Sequence, residues 1–223
     1  MLLVVAATEQ EMQPLRGLIE TVDGVTTILS GMGVVEAAGR LAHYLGAYGK
    51  GVKGALNFGV AGAYTDTGLD LMDIVLAREE RLADIGICME DRIVPFEEGK
   101  FPLKTRFNLE GVLLAQAETI IGRHQVSYQK GVFLTVAGTS GTKKRGDYLR
   151  DTHHALCENM EGAAIARVCE LYAVPLLELR CISNLVTDRG SSPWHLARAA
   201  ERCAATVAMV LPFLIAGTME ITI

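Results

Sequence analysis

Apolar residues fall along the chain in short uninterrupted runs, most followed by a polar or glycine-rich segment and then by a stretch with helical spacing. Leu2 to Ala6 is one such run without alternation, the mark of a strand covered on both faces. Thr8-Glu9-Gln10-Glu11 after it reads as turn and helix start. Thr26 to Leu29 leads through Ser30-Gly31-Met32-Gly33 into an alanine-rich helix reaching about Tyr48, with the glycines marking a tight strand-to-helix turn. Gly54 to Phe58 predicts a third strand running into a small-residue loop, Gly59-Val60-Ala61-Gly62-Ala63, where a ligand can approach the backbone.

Met72 to Ala77 and Gly131 to Val136 predict two further strands, the second entering the loop Ala137-Gly138-Thr139-Ser140-Gly141. The polar chain between them shows no clear period. Met160 to Tyr172 predicts a helix with Met160, Ala164, Val168 and Leu171 on one face, and Pro175 opens a strand, Leu176 to Ile182, ending at Ser183-Asn184. Strands alternating with helices describe an α/β protein, one domain over residues 1–223, whose ligands are expected beyond the carboxyl ends of the strands.

Composition narrows the partners. The chain has 223 residues, half of them apolar, and a formal charge of −5. Without a Lys/Arg-rich block it offers no surface for phosphate backbones, so a small molecule is expected rather than nucleic acid. Five cysteines are scattered without a Cys-x-x-Cys pair, which fits reduced thiols and a cytoplasmic location. Glu9 and Glu11 directly follow the apolar start and no basic region precedes it, which argues against a signal peptide. The uncharged stretch Cys203 to Met219 is short for a bilayer span and contains Pro212, so it is expected to be a core or subunit-interface helix, with no membrane association.

The candidate chemistry lies at the strand ends. Glu11 follows the first strand and Glu161 opens a helix; each is also accounted for by the preference of acidic residues for helix N-termini. The glycine pairs Gly31/Gly33 and Gly59/Gly62 match neither a Walker loop nor a full dinucleotide fingerprint. The five histidines lack metal-ligand spacing, and no Gly-x-Ser-x-Gly elbow is present, which leaves two separated carboxylates as the lead.

In register along most of the chain, Ala6-Ala7-Thr8-Glu9-Gln10-Glu11-Met12, Ser30-Gly31-Met32-Gly33, Asn57-Phe58-Gly59-Val60-Ala61-Gly62, Asn159-Met160-Glu161 and Arg180-Cys181-Ile182-Ser183-Asn184 resemble the methylthioadenosine/S-adenosylhomocysteine nucleosidases, a branch of the purine nucleoside phosphorylase superfamily. The resemblance implies a three-layer α/β/α nucleoside phosphorylase-like fold with a central mixed sheet, a homodimer or higher homo-oligomer, and no metal or organic cofactor. It makes Glu11 the carboxylate that deprotonates the attacking water and Glu161 the one that holds the ribose hydroxyls. Met160 packs on the sugar, Ala61 and Gly62 line the nucleoside, and Asn159 and Ser183 fall among the binding residues. Breakage of a glycosidic bond through an oxocarbenium-like transition state suits two carboxylates.

One departure bears on the base. Adenine-releasing members carry an aspartic acid where this chain has Asn184, and an amide cannot protonate purine N7. Asn can instead donate to a purine O6 and accept from a protonated N7, which complements a 6-oxopurine such as hypoxanthine. Phosphorylases of the superfamily place a Ser in the glycine loop and an Arg in the first βα loop; here stand Val60 and no arginine, so water is the expected nucleophile. Glu158 to Ala164, Ser183 to Arg189 and Trp194 most resemble the futalosine hydrolase family of an alternative menaquinone pathway. Its substrate is an inosine-like nucleoside with an aromatic carboxylate on the sugar side. Arg189 is a candidate to grip that carboxylate, although a solvated or structural arginine is the more ordinary reading of the position. An adenosine-branch nucleosidase, a silent nucleoside-binding protein and a purely structural subunit are the rivals to be discriminated by base release.

Overall fold

The computed structural model describes residues 1–90, 92–97, 99–191 and 193–220, with side chains through 217. In chain order the elements are β1 (Leu2–Ala6), α1 (Glu9–Ile19), β2 (Val25–Leu29), α2 (Val34–Tyr48), β3 (Gly54–Tyr64), β4 (Ile74–Leu82), β5 (Gly86–Cys88), β6 (Ile93–Pro95), β7 (Arg106–Asn108), α3 (Val112–Arg123), β8 (Tyr128–Thr135), α4 (Lys143–His153), β9 (Ala155–Asn159), α5 (Gly162–Leu171), β10 (Leu176–Val186) and α6 (Leu196–Glu220).

The sheet is mixed. β2, β1 and β3 run parallel, β3 also pairs in parallel with β10 and antiparallel with β9, and β4 joins β10 antiparallel and β8 parallel. Since β8 pairs with β9, the strands β3, β10, β4, β8 and β9 close on themselves, and β1 and β2 extend the sheet outward from β3. Closure removes the free edges from the part of the sheet that carries the site.

Alternation along these strands sorts the core into two faces. Leu2, Val4 and Ala6 of β1, with Leu177, Leu179 and Cys181 of β10, pack under α1, α3 and α6. Leu3 and Val5, with Ala55, Val75 and Ile182, pack under α2 and α5. The expected three-layer α/β/α arrangement is therefore present. The stretch Cys203 to Met219 belongs to a longer helix that begins at Leu196. Ala199, Cys203, Ala204, Val207, Val210, Leu211 and Leu214 recur at helical spacing and are buried, and α6 packs on α1, α3, β3 and β10. Residues 196–217 are long and apolar enough to cross a bilayer, and the 18-residue stretch that meets this test is half buried inside the molecule; the side chains at 218–223 lie outside the described residues.

Three expected boundaries need correction. Gly59 to Ala63 is not a loop: β3 continues through it to Tyr64, paired with β10 throughout and with β9 at Gly62 and Ala63. The strand expected to stop at Ser183-Asn184 runs to Val186 with a bulge between Ile182 and Asn184. The strand expected over Met72 to Ala77 starts at Ile74 and reaches Leu82, and Met72 itself has a left-handed backbone, φ 71°. The helix face drawn through Met160 and Leu171 is also wrong: Met160 precedes α5, Leu171 is exposed, and Ala163, Ala166, Val168 and Cys169 face the core.

Candidate active site

Glu11, Ala61, Gly62, Asn159, Met160, Glu161, Ser183 and Asn184 all line one solvent-open cavity of about 240 Å³. They come from the C-terminal ends of β1, β9 and β10 and the second half of β3, which the closed pairing brings side by side. Gln10, Met32, Thr139, Trp194 and Leu196 complete the wall. A larger groove of about 420 Å³ lies beside β5 and β6 and is lined by Arg81, Phe96, Phe101 and His153; none of the residues singled out from the sequence reaches it.

Glu11 both closes a capping box at its helix start and lines the cavity. Thr8 is the N-cap of α1, and Glu11 Oε2 accepts from the Thr8 backbone N–H at 3.0 Å and from its hydroxyl at 2.9 Å, closing a capping box. Oε1 accepts from the Val60 N–H of β3 at 3.1 Å, so the helix start is pinned to the sheet with a carboxylate at the cavity wall. Gly59 makes this possible, because a Cβ there would lie 2.2 Å from Glu11 Oε1.

Glu161 does not cap its helix. It stands at the N-cap position with no capping bond from its side chain, and its Oε1 accepts from the Gly33 N–H at 2.9 Å, 128 residues away in sequence. Asn159 caps in its place: Oδ1 accepts from the N–H groups of Glu161 at 2.9 Å and Gly162 at 2.7 Å. Burial pushes the Glu161 carboxyl above the ordinary carboxylate range, and Arg180, with Nη1 3.9 Å from Glu161 Oε2, opposes the rise.

At the β10 bulge the period of two is broken, so neighbouring Ser183 and Asn184 both reach the cavity. The Ser183 hydroxyl donates to Asn184 Oδ1 at 2.9 Å, which leaves the Asn184 NH₂ to meet a ligand. Arg189 is exposed and does not line the cavity; its guanidinium lies 4.7 Å from the centroid of the Trp194 ring, which does.

Four charged side chains at and beneath the cavity went unread in the sequence. Glu158 lines the cavity, and its carboxylate accepts from the Ser140 N–H and hydroxyl, both at 2.7 Å, and from the Tyr64 hydroxyl at 3.1 Å, tying down the 137–141 loop; burial raises its pKa. Beneath the floor lie Glu80, Glu178 and Arg180, all essentially without solvent exposure. The signal for the last two was available: charged residues at alternate positions within the apolar run Leu176 to Ile182 occupy one face of a buried strand and must find partners there. Among the described residues, no group of three His, Cys, Asp or Glu side chains is placed to hold a metal ion, and no Lys or Arg lines the cavity.

Two relatives carry the name futalosine hydrolase. That of Thermus thermophilus is 34% identical over 88% of this chain and 84% of its own length; that of Streptomyces coelicolor is 29% identical over 86% and 80%. A solved variant of Helicobacter pylori methylthioadenosine/S-adenosylhomocysteine nucleosidase, with 5′-methylthioadenosine in its active site, shares the fold at a TM-score of 0.82 and 22% identity, covering 94% of this chain and 97% of that one. Residues 5–212 match the family model of the phosphorylase superfamily, and the chain belongs to that superfamily.

Proposed function

We propose that this protein hydrolyses the N-glycosidic bond of futalosine, releasing hypoxanthine and dehypoxanthinyl futalosine in an alternative route to menaquinone. Asn184 carries the choice of base. With Oδ1 engaged by Ser183, its NH₂ donates to the O6 of a 6-oxopurine, while the second lone pair of Oδ1 accepts from a protonated N7. The 6-amino group of an adenine would meet that donor with a donor of its own. The names of the two curated relatives support the same substrate.

Glu11 is the general base. Its carboxylate, held by Thr8 and Val60, takes the proton of a water that attacks the anomeric carbon as the base departs. Glu161 accepts the ribose hydroxyls, with Met160 against the sugar, and the two carboxylates stabilise the positive charge that develops on the ring. The proton for the leaving purine comes from solvent. Water rather than phosphate is the nucleophile, because a dianion would find no Lys or Arg on the described cavity wall. Arg189, braced on Trp194 at the rim, receives the carboxylate of the substrate tail. The reaction needs no cofactor, and a cytoplasmic setting accords with five cysteines that are all free. We place the protein in a homodimer or larger homo-oligomer, for which the exposed Ile87, Met89, Phe96 and Phe101 offer apolar contact.

The test is base release in phosphate-free buffer, with futalosine, inosine, methylthioadenosine and S-adenosylhomocysteine supplied in parallel. Hypoxanthine from futalosine alone is the expected result. Adenine from either thionucleoside moves the protein to the adenosine branch, and no base from any substrate overturns the hydrolase reading and leaves that of a nucleoside-binding protein ahead.

A further inference from the structure

Below the cavity floor, Glu80 of β4 and Glu178 of β10 bring two fully buried carboxyl groups within hydrogen-bonding reach of each other. The partners of their four oxygens leave one gap. Glu80 Oε1 accepts from Asn159 Nδ2, and its Oε2 accepts from the Thr135 hydroxyl at 2.9 Å. Glu178 Oε1 accepts from Asn57 Nδ2 at 3.1 Å and from Arg180 Nε at 2.9 Å. Glu178 Oε2 has no donor. A buried carboxylate oxygen without a donor, beside a second carboxylate, combines a desolvation cost with like-charge repulsion. One proton placed between the two groups removes both, since a carboxylic acid donates one hydrogen bond and still accepts others.

We infer that Glu80 is held as a neutral carboxylic acid donating its proton to Glu178, and that this acid–carboxylate pair positions Glu161 and Arg180 for the reaction. The shared proton stands independently of the proposed hydrolysis; its effect on turnover rests on that reading. Glu178 is the anionic member because Arg180 lies against it, with Nη2 2.8 Å from Glu178 Oε1. Burial, then the charge of Glu178, raises Glu80 well above the usual carboxylate range. The other ionisable groups facing the pair are Arg180 from β10, Cys157 from β9, Cys169 and Glu161 from α5 and its cap, and, through Arg180, Glu11 from α1. Burial pushes the two thiols up, so they remain neutral and Arg180 supplies the positive charge.

The pair reaches Glu161 by two routes. Because Glu80 takes the Asn159 NH₂, the Asn159 carbonyl oxygen turns to the N–H groups of Glu161 and Gly162 and fixes the start of α5. Gly162 is seated so close that a Cβ would lie 2.0 Å from Glu80 Oε1 and 2.7 Å from Glu178 Oε1. On the other side, Glu178 engages Arg180 through two nitrogens, so Arg180 approaches Glu161 only to 3.9 Å and leaves its carboxylate open to sugar hydroxyls. Glu80 and Glu178 are therefore positioning residues, remote from the reacting atoms.

Infrared spectroscopy of the protein without substrate tests the shared proton, and steady-state kinetics tests its use. The wild type at neutral pH is expected to show the deuterium-sensitive carbonyl stretch of a protonated carboxylic acid, and Glu80→Gln is expected to lose it. Glu80→Gln retains a neutral group able to donate to Glu178 and gives up one of the two oxygens that accept from Asn159 and Thr135, so kcat and KM should stay closer to wild type than in Glu80→Ala, with the alkaline limb of the kcat/KM profile weakened. Glu80→Ala should raise KM at least about tenfold. Absence of the band from the wild type overturns the inference whether or not any variant folds, as does a band that survives in both Glu80→Gln and Glu178→Gln. A band lost on Glu80→Gln, in a protein that releases no base from any nucleoside, upholds the shared proton and overturns the hydrolase reading instead.

Discussion

At the scale of single residues, the site depends on which hydrogen-bond partners each polar atom has already engaged. Glu11 accepts three donors, two from Thr8 and one from Val60, so its carboxylate is fixed in place before any water binds. Glu11→Gln keeps the shape but removes the base and turns an NH₂ toward one of those donors. Turnover should fall by roughly 10²–10⁴-fold with nucleoside affinity largely kept, at a stability cost of about 1 kcal/mol from the damaged capping box. Wild-type turnover in steady-state assays would refute the role. Asn184 is constrained from the other side, because the Ser183 hydroxyl occupies Oδ1 and commits the NH₂ to the ligand. Asn184→Asp exchanges that donor for an acceptor that can also carry a proton to N7. The ratio of kcat/KM for adenine-releasing over hypoxanthine-releasing substrates should rise at least about tenfold. An unchanged ratio removes the complementarity argument.

At the scale of elements, what the sequence pattern revealed and what it concealed have separate physical causes. Predominantly apolar runs exposed β1 and the first halves of β3 and β10, because strands covered on both faces show little alternation. Glycine and alanine in the second half of β3 read as a loop, yet they are strand residues whose missing side chains make room for others. Glu11 and Arg180 fill the space beside Gly59, and Asn184 that beside Gly62. Nothing local announces such crowding, since Arg180 lies 121 positions after Gly59. The polar helix α4 was missed because it buries only Gly146 and Leu149. Glu80 was unreadable for a similar reason: its partners Thr135, Asn159 and Glu178 converge only when β4, β8, β9 and β10 close. Gly59→Ala tests this account of β3. Its Cβ would fall 2.2 Å from Glu11 Oε1 and 2.9 Å from Arg180 Nη1, displacing the base while the strand keeps its pairing. Turnover should drop on the order of 100-fold while the circular dichroism of the fold is retained. A fully active variant would show that the carboxylate has room to move.

At the scale of the whole molecule, the site imposes a pH dependence on stability. Burial raises Glu80, Glu158, Glu161 and Glu178, and it raises the Cys157, Cys169, Cys181 and Cys203 thiols, with Cys169 and Cys181 pushed up to about 12. Each of these acids holds its proton longer in the folded chain than in the unfolded one. Their stabilisation is therefore complete below the unfolded pKa values and is lost as pH rises through the folded ones. Glu79, Asp147 and Glu170 shift downward through their cationic partners and act in the opposite sense, but their titration is over by about pH 5. His153, lowered by burial, costs stability only below about pH 6.5. Between about pH 7 and pH 9 the shifted acids that still titrate act in one direction, so the melting temperature should fall across that window. If folding takes up about one proton there, the drop is roughly 5 °C or more. Glu80 supplies the part that can be removed cleanly, because glutamine has nothing to ionise and can still donate to Glu178. Thermal unfolding at a series of pH values should give a shallower decline for Glu80→Gln than for the wild type. Parallel curves would mean that Glu80 is already ionised in the folded protein across the window, and a wild-type melting temperature that climbs toward pH 9 would mean that the buried carboxyls as a group are ionised there.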